Sequence, residues 1–234
     1  MAKGKKQKPS RQPLRQIIRW VRRGLLVVIA LVLGMVALWG VLNPPTTIYM
    51  TQERWRLGTI DHEWVALDDI APIMAPSLVA AEDANFCLHW GFDVAAIRSA
   101  IEAGANRGAS TITQQVVKNV YLWHGRNWTR KAVEAGLTPL VEAFWSKQRI
   151  VEVYLNVAEF DEGVFGIEAA SGHYFNVPAR ELSALQAARL AAILPAPKVR
   201  SASRPSDFVR NRTRQIMDGA ATILKDGRAS CLSD

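Results

Sequence analysis

Four short runs of this 234-residue chain concentrate the side chains that do chemistry. The first is Glu82-Asp83-Ala84-Asn85-Phe86-Cys87-Leu88-His89-Trp90-Gly91-Phe92-Asp93. It sets ionisable groups among large aromatics, with a glycine near the end. Apolar neighbours disfavour a charged carboxyl, raise its pKa and make it a usable proton acceptor. Glu82 is therefore a candidate base, set against the plainer reading of a Glu-Asp pair as a solvated helix start.

The second run is Gly108-Ala109-Ser110-Thr111-Ile112-Thr113-Gln114-Gln115-Val116-Val117-Lys118-Asn119. Its small residues permit close backbone approach. Its hydroxyls and amides suit sugar hydroxyls, acetamides and phosphate oxygens. A Ser/Thr-capped helix with a polar face explains the same composition. The third run, Arg130-Lys131-Ala132-Val133-Glu134, offers adjacent cations for charge-assisted bonds to phosphate. Glu134 falls at i+3 and i+4 from them, so the three share one helix face. In the fourth, Lys147 to Asn156, Glu152 and Asn156 lie one helical turn apart, either at a site or as a polar contact fixing the helix.

Taken in order, these runs resemble the peptidoglycan glycosyltransferase family. Glu82–Asp93 fits its E-D-x-x-F-x-x-H-x-G-x-D motif, and Gly108–Gln115 fits G-x-S-T-I-T-Q-Q. Arg130–Glu134 fits R-K-x-x-E, and Lys147–Asn156 fits K-x-x-I-x-E-x-Y-L-N. Arg189 to Pro197 resembles the family's closing segment with its L-P-x-P ending. The resemblance covers about Ile70 to Pro205. No S-x-x-K, S-x-N or K-T-G set of a penicillin-binding transpeptidase is present, so the expected branch is the monofunctional biosynthetic transglycosylase.

The resemblance implies a mainly α, lysozyme-like domain that polymerises lipid II with release of undecaprenyl pyrophosphate. It implies Glu82 as general base toward the acceptor 4-hydroxyl and inversion to a β-1,4 bond. Glu134 would act on the donor side, organising the pyrophosphate and assisting its departure. Ser110, Thr111, Gln114, Gln115, Lys118, Asn119, Arg130, Lys131, Glu152 and Asn156 become the expected substrate-binding residues. No cofactor is required; Mg²⁺ or Mn²⁺ at the pyrophosphate is the optional one, with no metal motif to hold it. Expected partners are lipid II, the growing glycan chain on undecaprenyl pyrophosphate, the membrane, and other cell-wall synthesis or division proteins.

The elements that must position these residues are legible in outline. The net charge of +8 is concentrated at one end. Lys3, Lys5, Lys6, Lys8, Arg11, Arg15, Arg19, Arg22 and Arg23 precede the first acidic residue, Glu53. Removing those nine leaves 20 cations against 21 acidic residues, so the rest is nearly neutral and a nucleic-acid partner is not expected. Residues 24–42 form an uncharged apolar run flanked by Trp20 and Trp39, long enough to span a bilayer. The basic flank predicts a cytoplasmic N-terminus and a periplasmic domain at the inner membrane. A cleaved signal peptide is the alternative, although the run exceeds a usual signal core. The expected division is a basic tail over 1–23, a membrane helix over 24–42, a linker over 43–69 and a catalytic domain over 70–234.

Pro44 to about Leu67 reads as extended or irregular, with helices from about Ala71. Ser183 and Gln186 form a capping-box pattern before a helix ending near Leu194. Val209, Thr213, Ile216, Met217, Ala220, Ile223 and Leu224 share a helical face, with Asp207 as its cap and Gly227 past its end. Arg130 to Trp145 is helical but holds Gly136 and Pro139, so it is one kinked helix or two pieces. Trp123 and Trp128 are either core or a membrane-facing surface. Cys87 and Cys231 are either a disulfide or free thiols. Two other functions share some of these features: a lysozyme-like enzyme that cleaves glycan, and a non-catalytic membrane scaffold.

Overall fold

The computed structural model describes residues 12–104, 108, 110–123, 125 and 127–232, with side chains from residue 16 onward. Lys3, Lys5, Lys6, Lys8, Arg11, the Arg15 side chain and Ala109 lie outside the described residues. Helix α1 spans Gln12–Val41. It begins well before the expected start at Gly24, because the Arg-, Gln- and Leu-containing segment ahead of the apolar run is itself a good helix former. Its Gln16–Val41 portion is 26 residues, long and apolar enough to cross a bilayer.

This helix is fastened to the rest of the molecule. Val36 is fully buried. The Trp145 indole N–H donates to the Val36 carbonyl at 2.7 Å. Gly40 lies so close to that ring that a Cβ there would sit 2.9 Å from Trp145 Cδ1. The last carbonyls of a helix lack intrahelical partners. Here the Arg149 guanidinium takes them, donating to Trp39 O at 3.0 Å and Leu42 O at 2.6 Å, and to Asn43 Oδ1 at 2.9 Å.

The segment read as irregular contains a helix, α2, over Ile48–Leu57. Its β-branched and aromatic start disguises it. The Thr47 hydroxyl caps it by accepting from Met50 N, and Gly58 closes it. Met50 and Glu53 are buried beneath it. A small sheet follows from distant pieces: β1 (Asp61–His62) pairs parallel with β3 (Val164–Phe165), which pairs antiparallel with β2 (Glu159–Asp161).

The remaining helices form two packed groups. In one, α3 (Met74–Glu82), α9 (Ala184–Ile193) and α10 (Asp207–Lys225) pack together. Small buried residues of α9, including Ala187, Ala188, Ala191 and Ala192, allow close approach. In the other, α5 (Ile112–Tyr121) lies against α6 (Trp128–Phe144) and α7 (Lys147–Val157). Helices α4 (Val94–Glu102) and α8 (Ile167–Phe175) complete the order.

The capping box of Ser183 and Gln186 is present. Helix α10 buries Val209, Thr213, Ile216, Ala220 and Ile223, as the periodicity predicts, but Leu224 is exposed. Its cap is Ser206 rather than Asp207, which occupies the first helical position. Residues 128–144 form one helix despite Gly136 and Pro139. Cys87 and Cys231 are joined in a disulfide.

Candidate active site

Glu82 is the last residue of α3, pointing from one helix group toward α5 of the other. The Gln115 amide N–H donates to Glu82 Oε2 at 2.8 Å. The Tyr154 hydroxyl, on α7, donates to the other end of the same amide at 3.0 Å. Loss of water around Glu82 pushes its carboxyl above the usual range. The Gln115 bond opposes that, followed by the positive charges of Arg212, Lys118 and Arg200. Arg212 also donates to Ala81 O at 2.8 Å, holding α10 against the end of α3.

Beside Gln115 lies a cavity of about 320 Å³, lined in part by Lys118, Asn119, Tyr154, Glu159 and Lys198. Among the described residues, the Lys118 side chain makes no hydrogen bond or ion pair. Burial draws its pKa down, while the charges of Glu134 and Glu82 raise it. One lysine thus senses both carboxylates.

Glu134 is buried on α6. Arg130 donates to its Oε2 at 3.1 Å, and Lys131 pairs with its Oε1. Lys131 Nζ is also 3.5 Å from Ser110 Oγ. Ser110, Lys118, Arg130, Lys131 and Glu134 therefore gather into a cation-rich patch around one buried carboxylate. Among the described residues no three His, Cys, Asp or Glu side chains converge on a metal-sized site. Both Glu134 oxygens already face cations. Glu134, engaged by Arg130 and Lys131, does not present a free carboxylate to Mg²⁺ or Mn²⁺.

Four expected binding residues are committed elsewhere. Thr111 and Gln114 make a reciprocal capping box at the start of α5 and are buried. The Thr111 hydroxyl also donates to Gly91 O at 2.7 Å. These two hold the helix that carries Gln115 and Lys118, a structural role beside the expected substrate contact. Asn156 is fully buried; its amide accepts from Val65 N at 2.8 Å and donates to Val65 O and Glu152 O at 2.9 Å. Glu152 pairs with Arg149 at 2.8 Å, beside the end of α1. In the fourth run, Asn156 makes the polar contact that fixes the helix.

The first run is mostly a brace. Asp83 accepts from His89 Nε2 at 2.9 Å and from Ile112 N at 3.1 Å, tying the end of α3 to the start of α5. Asp93 caps α4 through Ala96 N. Gly91 has φ +83°, and a Cβ there would meet Thr138 Cγ2 at 2.7 Å. Only glycine fits. The sequence reading did not single out Tyr154 for the site, although it lies in the fourth run. Arg200 and Arg212 had no local signal, because only folding brings α10 and the 194–206 segment to Glu82.

A second cavity, of about 560 Å³, is largely apolar and lies between α1, α2 and α5, lined in part by Met35, Trp39, Ile48, Trp55, Val120 and Tyr121. Trp128 is 91% exposed and Trp123 40%, so the core reading fails for both.

Comparison with known proteins identifies the family. The family model described as Transglycosylase matches residues 50–221. The chain is 58% identical over 216 residues to the biosynthetic peptidoglycan transglycosylase of Jannaschia sp. (strain CCS1), covering 92% of this chain and 90% of that one. It is 44% identical over 233 residues to the protein so named in Yersinia pseudotuberculosis serotype IB (strain PB1/+), covering 92% and 97%.

Proposed function

Because this chain belongs to the transglycosylase family, we propose that it polymerises lipid II into β-1,4-linked glycan strands, with Glu82 as general base. It is a peptidoglycan glycosyltransferase; the substrate, the stereochemistry and the roles of its residues are the proposal. The observation that carries it is the Glu82–Gln115 pair beside a cavity with an uncommitted lysine. A desolvated carboxylate is a stronger proton acceptor than one in water. The Gln115 N–H favours its ionised form, ready to take the acceptor hydroxyl's proton.

The attacking oxygen then forms the bond at the donor's anomeric carbon from the face opposite the pyrophosphate, which leaves with its bonding electrons. Lys118, Arg130 and Lys131 receive that charge, and fixed cations in a partly dehydrated site stabilise it strongly. Glu134 holds Arg130 and Lys131 in place. Ser110, Gln115 and Asn119 are the polar groups left to position sugar or phosphate. Helix α5 lines the cavity beside Gln115 with Gln115, Lys118 and Asn119, and the apolar cavity with Val120 and Tyr121. That juxtaposition suits a substrate with a charged head and a hydrocarbon tail.

Helix α1 serves as a single-pass anchor in the inner membrane, with its basic end cytoplasmic and the domain periplasmic. The Cys87–Cys231 disulfide fits an oxidising compartment. Tethering raises the enzyme's concentration near a lipid-borne substrate. Other cell-wall synthesis or division proteins are the further partners proposed. Purified full-length chain incubated with labelled lipid II should yield polymer that lysozyme digests. Shortening of preformed glycan without polymer formation would overturn this reading in favour of a lytic enzyme.

A further inference from the structure

We propose that Tyr154 is a positioning residue of the reaction, its hydroxyl fixing the Gln115 side chain so that the amide N–H, and not the carbonyl, faces Glu82. This rests on the reading of Glu82 as base. A glutamine amide is two-ended: one end donates and the other accepts. An ionised carboxylate only accepts, so the useful orientation presents Nε2 to Glu82 and Oε1 to whatever lies behind. Behind it lies the Tyr154 hydroxyl, 3.0 Å from Oε1.

Tyr154 is 2% exposed, and its hydroxyl makes no other hydrogen bond among the described residues. If the amide flipped, its N–H would meet the tyrosine oxygen and the hydroxyl hydrogen would lose its acceptor. Buried donors without partners are costly. The observed orientation is therefore favoured from the tyrosine side as well as from the carboxylate side. A hydrogen bond received at Oε1 also polarises the amide and strengthens the one donated from Nε2. Tyr154 is buried, as are Ile150, Val151 and Val157, its i−4, i−3 and i+3 neighbours on α7, so its ring has little freedom to move.

The other groups acting on Glu82 are cations: Lys118 from α5, Arg212 from α10 and Arg200 from the segment after α9. None of them needs to move when the tyrosine hydroxyl is removed. Its removal should therefore be read in the Glu82–Gln115 bond rather than in the surrounding field. A purely structural tyrosine would instead act through its ring, which phenylalanine retains.

The test is the pH profile of lipid II polymerisation by full-length wild type, Tyr154→Phe, Gln115→Met and the double variant. Tyr154→Phe should keep KM near the wild-type value, lower kcat by about fivefold at neutral pH, and move the acid limb to higher pH. Gln115→Met should move it further, and adding Tyr154→Phe should then change nothing, since the tyrosine acts through the amide. A Tyr154→Phe profile that overlays the wild type would overturn the proposal, as would a loss that persists undiminished in the Gln115→Met background. Should Gln115→Met fail to fold, the Tyr154→Phe profile alone decides. Glu82→Gln run alongside separates the two readings: if it is inactive while Tyr154→Phe behaves as wild type, only the positioning role fails.

Discussion

Glu82 sits in an environment that works against its own charge. Its pKa is raised first by loss of solvent, against the combined pull of Gln115, Arg212, Lys118 and Arg200. A carboxyl whose folded pKa exceeds its unfolded value binds more protons when folded. Its contribution to stability is therefore complete below the unfolded pKa and is lost as pH rises through the folded one. Glu82→Gln removes that titration. Thermal melts across pH should show the variant gaining on the wild type as pH rises through and above the ordinary carboxylate range, with the gap narrowing in acid; a gap independent of pH would refute the assignment. Glu82 was only partly legible in the sequence: its chemistry could be guessed from aromatic neighbours, and the motif order raised it above a surface carboxylate. Thr111, Gln114 and Asn156 show the limit of that reading. Hydroxyls and amides that can bind a sugar can equally cap a helix or hold a loop, and only their actual partners decide. Arg200 and Arg212 lie more than a hundred residues from Glu82 in sequence, so no local pattern could have placed them beside it.

At the level of elements, α5 is the critical piece. It brings Gln115 and Lys118 to the site, and its start is fixed by the Thr111–Gln114 capping box and by Asp83. Thr111→Ala should destabilise the protein by about 1–2 kcal/mol in urea unfolding while leaving KM for lipid II nearly unchanged. A large rise in KM with unchanged stability would restore Thr111 as a binding residue. Gly91→Ala should destabilise by about 1–3 kcal/mol, because it combines positive φ with a clash at Thr138; equal unfolding midpoints would show that the loop can rearrange. Helices with an unbroken apolar period, such as α10, were readable from sequence. Helix α2 was not, because Thr46, Thr47, Ile48 and Tyr49 favour extended structure, and burial of Met50 and Glu53 overrides that preference. The sheet of two- and three-residue strands was too short to leave a pattern.

On the scale of the whole molecule, the C-terminal end of the membrane-length helix is fastened to the catalytic domain. Arg149 caps the end of α1 and Trp145 bonds within it. Trp20, Trp39 and the basic flank made that span readable in sequence, whereas its docking depends on contacts about a hundred residues away. The Cys87–Cys231 bond closes a loop of 144 residues and ties the C-terminal end to the brace beside Glu82. Cys87→Ser with Cys231→Ser should cost about 2–4 kcal/mol of stability. Unchanged melting under reducing conditions would show that the bond contributes nothing. In the proposed reaction, a carboxylate at the junction of two helix groups takes a proton from a membrane-borne sugar. The most direct test is polymerisation of labelled lipid II by full-length wild type and Glu82→Gln in vesicles, with lipid II binding measured on both. Lysozyme-sensitive polymer is expected from the wild type, and none from the variant despite retained binding; polymer from Glu82→Gln at the wild-type rate would remove Glu82 as the base.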